Sequence, residues 1–273
     1  MEKEIFKLAH ITDTHYCKSY QGNMMEAAFA KGEHPEKRIR RMLQKAVNEK
    51  ADAMIVSGDI VHEGCEEDYR AFRQLVTETV GGRMKVFYVC GNHDRKEAFC
   101  RGLEMECNSS SIDYVDYVKG YRIVVLDSAE EGRESGSIGE EQMQWLKKVL
   151  EKPYGNGTII TFHHPVTWNI PQLAMPVEDA FADILSAGDV IGIFCGHTHS
   201  NLICTWRGVP QYTADSTTFG MEMDRKNFLF VEKCGMNIYH IDGKQVSAHV
   251  EPFYDRLPVM AEIPVEEMMK YIK

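Results

Sequence analysis

An α/β fold is predicted for this chain by three observations. Apolar runs of strand length recur from Ile5 to His197, helix-period stretches separate several of them, and most runs are hydrophobic at consecutive positions. Consecutive hydrophobicity is what a strand buried on both faces requires.

In chain order the predicted strands are "IFKLAHIT" from Ile5, "AMIVSGDI" from Ala53, "KVFYVCGN" from Lys85, "YRIVVLDS" from Tyr121, "GTIITFHH" from Gly157 and "VIGIFCGH" from Val190. Three helices fall between them. "PEKRIRRMLQKAVNEK" puts Ile39, Leu43, Ala46 and Val47 on one face, "CEEDYRAFRQLVTETV" does so with Tyr69, Phe72, Leu75 and Val76, and "IGEEQMQWLKKVL" with Met143, Leu146 and Leu150. After His199 the pattern changes. "LICTWRGVPQYTAD", "NFLFVEKC" and "MNIYHIDGKQVSAHV" read as short strands joined by tight turns, Asp242-Gly243 among them, so the C-terminal third is expected to be antiparallel. Residues 1–251 read as one domain, with 16–34 a loop or short helical cap beside the site. Residues 252–273 form a tail whose "VEEMMKYIK" suits a short helix at a subunit contact, which leaves a homo-oligomer open.

The chain has 273 residues, 44% hydrophobic and 26% charged, and a formal net charge of -10. Such a surface repels polyanions, which argues against a broad nucleic-acid-binding face. The N-terminal "MEKEIFKLAH" has no signal-peptide pattern, and no apolar stretch is long enough to span a bilayer. A cytoplasmic, membrane-free protein is expected, with its eight cysteines as free thiols in structural roles.

Polar residues cluster where the apolar runs stop. Asp13 and His15 follow the first, Asp59 the second, Asn92, His93 and Asp94 the third; His163 and His164 end another, and His197 and His199 the last. Ligands of open α/β sheets bind at the carboxyl ends of strands, so these groups have a common place to meet. Each motif alone also fits a turn or a hydrogen-bonded core residue. Together, imidazoles, carboxylates and an amide at five strand ends suit two adjacent transition-metal ions of the manganese, iron or zinc type, divalent or trivalent. One ion would take Asp13, His15 and His199, the other Asn92, His163 and His197, with Asp59 between them. In extended chain His197 and His199 share a side, one for each ion. Two such ions ~3.5–4 Å apart can hold a hydroxide for in-line attack at phosphorus. With two aspartates and a hydroxide, their centre is left near +1, which attracts a small phosphodiester anion.

The succession D-x-H, G-D, G-N-H-D, H-H-P and G-H-x-H resembles the calcineurin-like metallophosphoesterases, and within them the bacterial cyclic-nucleotide and glycerophosphodiester phosphodiesterase branch. The resemblance runs from about Lys7 to Asn201 and departs at Val166, where many members of that branch carry a second proline. It implies a four-layer αββα sandwich of two mixed sheets flanked by helices, the ligand set given above, His93 as catalytic histidine near the leaving-group oxygen, and Asp94 as a steadying neighbour. It implies hydrolysis of a small phosphodiester. A phosphomonoesterase or nucleotidase with the same site, and a non-catalytic metal-dependent interaction protein, are the rival readings.

Other residues are expected at the margins. His10 reads as core or as support behind a ligand, His62 as a loop residue open either to substrate contact or to a supporting place, and His164 as support for its neighbour or as pocket rim, pointing away from His163 if the chain stays extended. His240 and His249 read as structural, and Tyr16 and Cys17 as candidates to line the pocket.

Overall fold

Both faces of the apolar strands are buried because two sheets stack on each other and each carries helices on its outer side. The computed structural model describes residues 5–23, 25–29, 33–107, 111–223 and 228–253. The predicted C-terminal helix lies outside them. In chain order the elements are β1 (Phe6–Ile11), α1 (Glu26–Phe29), α2 (Pro35–Asn48), β2 (Ala53–Ser57), α3 (Glu66–Val80), β3 (Lys85–Val89), α4 (Lys96–Leu103), β4 (Tyr114–Val118), β5 (Tyr121–Val125), α5 (Glu140–Leu150), β6 (Gly157–Thr161), a 3-10 turn (Pro171–Leu173), α6 (Asp179–Ala187), β7 (Val190–Cys195), β8 (Leu202–Trp206), β9 (Val209–Thr213), β10 (Gly220–Met223), β11 (Phe228–Val231), β12 (Gly235–Asp242) and β13 (Gln245–Pro252).

The first sheet runs β13-β12-β1-β2-β3 and the second β4-β5-β6-β7-β9-β8, with β10-β11 a separate hairpin. Each contains parallel and antiparallel pairs. The period of two along each strand sorts the core into layers. Phe6, Leu8, Ala53 and Ile55 meet Tyr121, Ile123, Ile159 and Phe194 between the sheets. Ala9, Ile11, Met54 and Val56 face α2, α3 and α4. Val124, Ile160 and Ile193 face α5 and α6. The αββα sandwich implied by the resemblance is the fold.

Local chemistry sets the helix starts. His34 Nδ1 accepts from the Glu36 amide and Pro35 opens α2. The Cys65 amide donates to Asp68 Oδ2 at the start of α3, which stops at left-handed Gly81.

Within the C-terminal third the pairs are antiparallel as expected, β8 with β9, β10 with β11 and β12 with β13, although β9 also pairs parallel with β7 and β12 returns to the first sheet beside β1. Other features depart from the sequence reading. Helices α4 and α6 and strand β4 carry too few periodic apolar residues to stand out in the sequence. Cys100 and Cys107 form a disulfide, since left-handed Glu104 ends α4 and turns the chain back on itself, while the other six cysteines are free. Tyr16 and Cys17 do not line the site cavity; they are buried in the core beneath it. Among the described residues no helix is long and apolar enough to cross a membrane.

Candidate metal centre

The carboxyl ends of β1, β2 and β3 in one sheet and of β6 and β7 in the other deliver the polar residues to one cleft. The chain does not stay extended there. Asp13, His15, Asp59, His197 and His199 have φ between 41° and 69°. Left-handed backbone at non-glycine residues costs on the order of 1 kcal/mol each and persists where surrounding contacts enforce it. Here cross-loop hydrogen bonds do so: Asp13 N to Gly58 O, His15 N to Asp59 O and His93 N to Asp59 Oδ1. His197 and His199 therefore face the centre because each sits in a left-handed bend, not because an extended strand alternates.

The glycines of the G-D, G-N and G-H motifs have a steric role. A methyl group at Gly58 would overlap the His163 ring, at Gly91 the Asp59 amide and carboxylate, and at Gly196 the Thr12 hydroxyl. Only glycine lets these loops press against the polar cluster.

The expected ligands divide into two touching groups. In the first, His15 Nε2 lies 3.2 Å from His199 Nε2, and His199 Nε2 lies 3.4 Å from Asp13 Oδ1. In the second, Asn92 Oδ1 lies 3.1 Å from both His163 Nε2 and His197 Nδ1. Asp59 Oδ2 stands between them, 3.8 Å from His15 Nε2 and 3.3 Å from His163 Nε2.

The donor set fits a cation. His163 Nδ1 faces the Ser57 carbonyl at 2.7 Å, and His199 Nδ1 faces the Phe219 carbonyl at 3.0 Å. A carbonyl only accepts, so in the neutral rings both Nδ1 atoms carry the proton and both Nε2 lone pairs point into the cluster. There they meet carboxylate and amide oxygens, which repel them unless positive charge lies between. Burial disfavours charge on His163, yet Asp59, Asp13 and the Ser57 carbonyl outweigh it and raise its pKa to about 9, so the oxygens around this ring draw positive charge to it, whether a proton or a cation on Nε2. Burial likewise raises Asp59, but His163 and its neighbouring histidines hold it well below the ordinary carboxylate range. Desolvation lowers His15, and His197 to about 4, so both rings stay neutral with a lone pair to offer a cation.

The remaining expected residues surround this core. His93 is half-buried, with Nδ1 3.6 Å from Glu63 and Nε2 3.9 Å from Glu134. Asp94 accepts from the amides of Ile60, Val61 and Gly91 and from Tyr69 Oη, tying the loops after β2 and β3 together. Burial and Asp59 raise its carboxyl to about 7 against those donors. His62 is buried with Nδ1 3.1 Å from His15 Nδ1, and its ring lies against that of His93. His164 does not turn away. The chain bends after β6, its ring lies 4.6 Å from that of His197, and Nδ1 is 2.9 Å from Ser128 Oγ. His10 bridges Ser57 and Tyr239 in the core, and His240 and His249 pair with each other far from the cleft.

Sequence reading missed Glu134, whose carboxylate accepts from Asn92 Nδ2 and so turns Asn92 Oδ1 toward the histidines. It also missed Phe219, whose ring packs on His15 and His199. Neither lies in a motif, and only the "STTFG" turn after β9 hints at the second.

The calcineurin-like phosphoesterase profile matches residues 6–201. The chain belongs to the calcineurin-like phosphoesterase family. It is 32% identical over 227 residues to a probable cyclic nucleotide phosphodiesterase of Rhodococcus erythropolis, covering 80% of this chain and 72% of that protein. It is 31% identical over 188 residues to a probable glycerophosphodiester phosphodiesterase of Arcobacter nitrofigilis, covering 64% and 66%. In three dimensions it resembles a dimetal phosphatase from Danio rerio, with a TM-score of 0.62 at 16% identity over 92% of this chain and 98% of that one. A calcineurin-like phosphoesterase is a phosphoric ester hydrolase, and in this one the histidine and aspartate clusters could hold the metal centre.

Proposed function

We propose that this calcineurin-like phosphoesterase hydrolyses a small phosphodiester, of the cyclic nucleotide or glycerophosphodiester type, at a dinuclear metal centre. Asp13, His15 and His199 would hold one ion, Asn92, His163 and His197 the other, with Asp59 between the two groups. The observation that carries this reading is the position of Asp59 Oδ2, within 4 Å of a ligand nitrogen from each group. The names of the bacterial relatives support the substrate class. Manganese, iron and zinc all suit this nitrogen and oxygen set.

When bound, such ions polarise phosphoryl oxygens and acidify a nucleophilic water. The protein's own groups do the rest. Thr12 Oγ1 and the His197 amide hold the Asp13 carboxylate, and the His93 amide holds Asp59. His93 stands at the cleft surface, free to hydrogen-bond or protonate the leaving oxygen. His62 fixes the ring of His15, and Ser128 that of His164. The low polarity around these buried groups strengthens each electrostatic contact with the substrate.

The test pairs elemental analysis with a substrate panel. Purified protein should carry about two transition-metal ions per chain and cleave bis-(p-nitrophenyl) phosphate faster than p-nitrophenyl phosphate. Asp59→Ala should lose metal and turnover together. Metal-loaded protein inert on every phosphoester would favour the interaction-protein reading, and a preference for the monoester would favour a phosphomonoesterase.

A further inference from the structure

The cleft above the metal centre is a cavity of about 540 Å³ with two unlike halves. Its floor is the ligand cluster. Phe219, Met221, Phe230 and Leu173 give its wall an apolar stretch, beside the polar Arg133, Glu134, Ser135 and Gln172. The wall begins at the ligands themselves. Phe219 stacks 4.6 Å from the His199 ring, and Phe230 meets Phe219 edge-on at 5.2 Å. Met221 and Phe230 are directly opposed on the β10-β11 hairpin and both face the cavity. Phe230 is 46% exposed and Leu173 38%, in a molecule that buries most of its large apolar side chains. Exposed aromatic surface continuous with a polar floor is the form of a ligand pocket. Phe219, Met221 and Phe230 lie beyond the 6–201 segment that matches the family.

Resting on the phosphodiesterase reading, we propose that Phe230 and Leu173 are specificity-determining residues. They grip a flat, apolar ring system esterified to the phosphate, so that ring-bearing diesters, nucleotides included, are preferred over those carrying glycerol. A planar ring buries apolar area against Phe219, Met221, Phe230 and Leu173 that a glycerol group is too small and too polar to cover, while Arg133, Glu134, Ser135 and Gln172 of the same lining can meet polar groups at the ring's edge.

The experiment uses metal-loaded full-length protein with 3′,5′-cyclic AMP and glycerophosphoethanolamine as substrates. In parallel, calorimetry measures binding of 5′-AMP and glycerol 3-phosphate, which needs no turnover. Wild type should favour the adenine compound in both assays. Phe230→Ala and Leu173→Ser should each cut that preference about tenfold, the scale of one base–aromatic contact, mainly through KM. Ile203→Ala, an exposed apolar residue on β8 outside the cavity, should leave it unchanged. A wild-type preference for the glycerol compounds, or equal losses on both compounds in the two cavity variants, overturns the proposal. Absence of turnover with the binding preference intact would overturn the hydrolase reading and sustain the wall.

Discussion

His93 and Asp59 are joined through the backbone amide of His93 and not through its ring: the amide donates to Asp59 Oδ1 at 2.8 Å, while the imidazole lines the cleft between Glu63 and Glu134. The two residues should therefore fail differently. His93→Ala keeps both ligand groups intact, so metal content should stay at the wild-type level while kcat falls about 10²–10⁴-fold, the range of general acid catalysis. Normal turnover in that variant would remove its assigned role. Asp94 acts at one further step. Its carboxylate serves three amides from two loops and the Tyr69 hydroxyl, so Asp94→Ala leaves buried donors unpartnered at about 1–3 kcal/mol each. A lowered melting temperature and weakened metal retention are expected together, and a variant as stable as wild type would contradict that account. At this scale the convergence of these side chains was legible, since imidazole, carboxylate and amide at strand ends are read directly from the chain. The backbone that aims them was not: nothing in "GHTH" announces two left-handed histidines, because that conformation is imposed by hydrogen bonds from loops distant in sequence.

Strand ends and their glycines translate those residues into a site. Gly196 sits between β7 and His197 with the Thr12 hydroxyl, the Asp13 carboxylate and the Ser57 carbonyl packed against its Cα. Gly196→Ala should push β7 away from β1, lowering bound metal and melting temperature in parallel, as small-to-large changes in packed sites typically cost about 1–3 kcal/mol. Metal content at the wild-type level would show that the loop has room to yield. At the opposite end of the second sheet a buried ion pair orders the strands: Arg122 on β5 meets Asp189, just before β7, at 2.7 Å, with Thr158 and the Tyr154 amide on the same carboxylate. Burial opposes ionisation of Asp189, but the Tyr154 amide, Thr158 and Arg122 outweigh it and hold its pKa below the ordinary value. A depressed folded-state pKa adds stability above the unfolded value of about 3.9, and that stability is lost as pH falls through the folded value. Asp189→Asn, which strands a buried guanidinium, should cost about 3 kcal/mol at neutral pH. Its melting temperature should converge on wild type in acid; an offset unchanged with pH would place the effect in packing instead. The six apolar strands and three periodic helices were legible because each repeats its own pattern. Helices α4 and α6, at 8 and 9 residues, and strand β4, which is partly exposed along its length, show less of it.

Across the whole molecule the cleft is a seam between the two sheets. Asp13, His15, Asp59 and Asn92 come from loops of the first sheet, and His163, His197 and His199 from the second. The sequence announced that these groups meet, but not that they meet from opposite layers, because sheet membership depends on pairings such as β12 with β1 that span the chain. A cation bound by both sets is a staple between layers otherwise held by the apolar contacts of Phe6, Leu8, Ile123 and Phe194. Binding only to the folded state stabilises it by about 3–4 kcal/mol when free ion exceeds its dissociation constant by two to three orders of magnitude. Chelator-treated protein should therefore melt several degrees lower than metal-loaded protein, and re-addition of manganese or zinc should restore the loss. Amide exchange should speed up after chelation in the loops that follow β1 and β2 and in those that follow β6 and β7, since releasing the staple frees both layers. On the proposed assignment His197→Ala removes a ligand from one group only, so its metal-dependent stabilisation should be smaller than wild type but not zero. Exchange that changes on one sheet alone would mean that the ions bind within a layer, and the position of Asp59 between the two groups would then need another explanation.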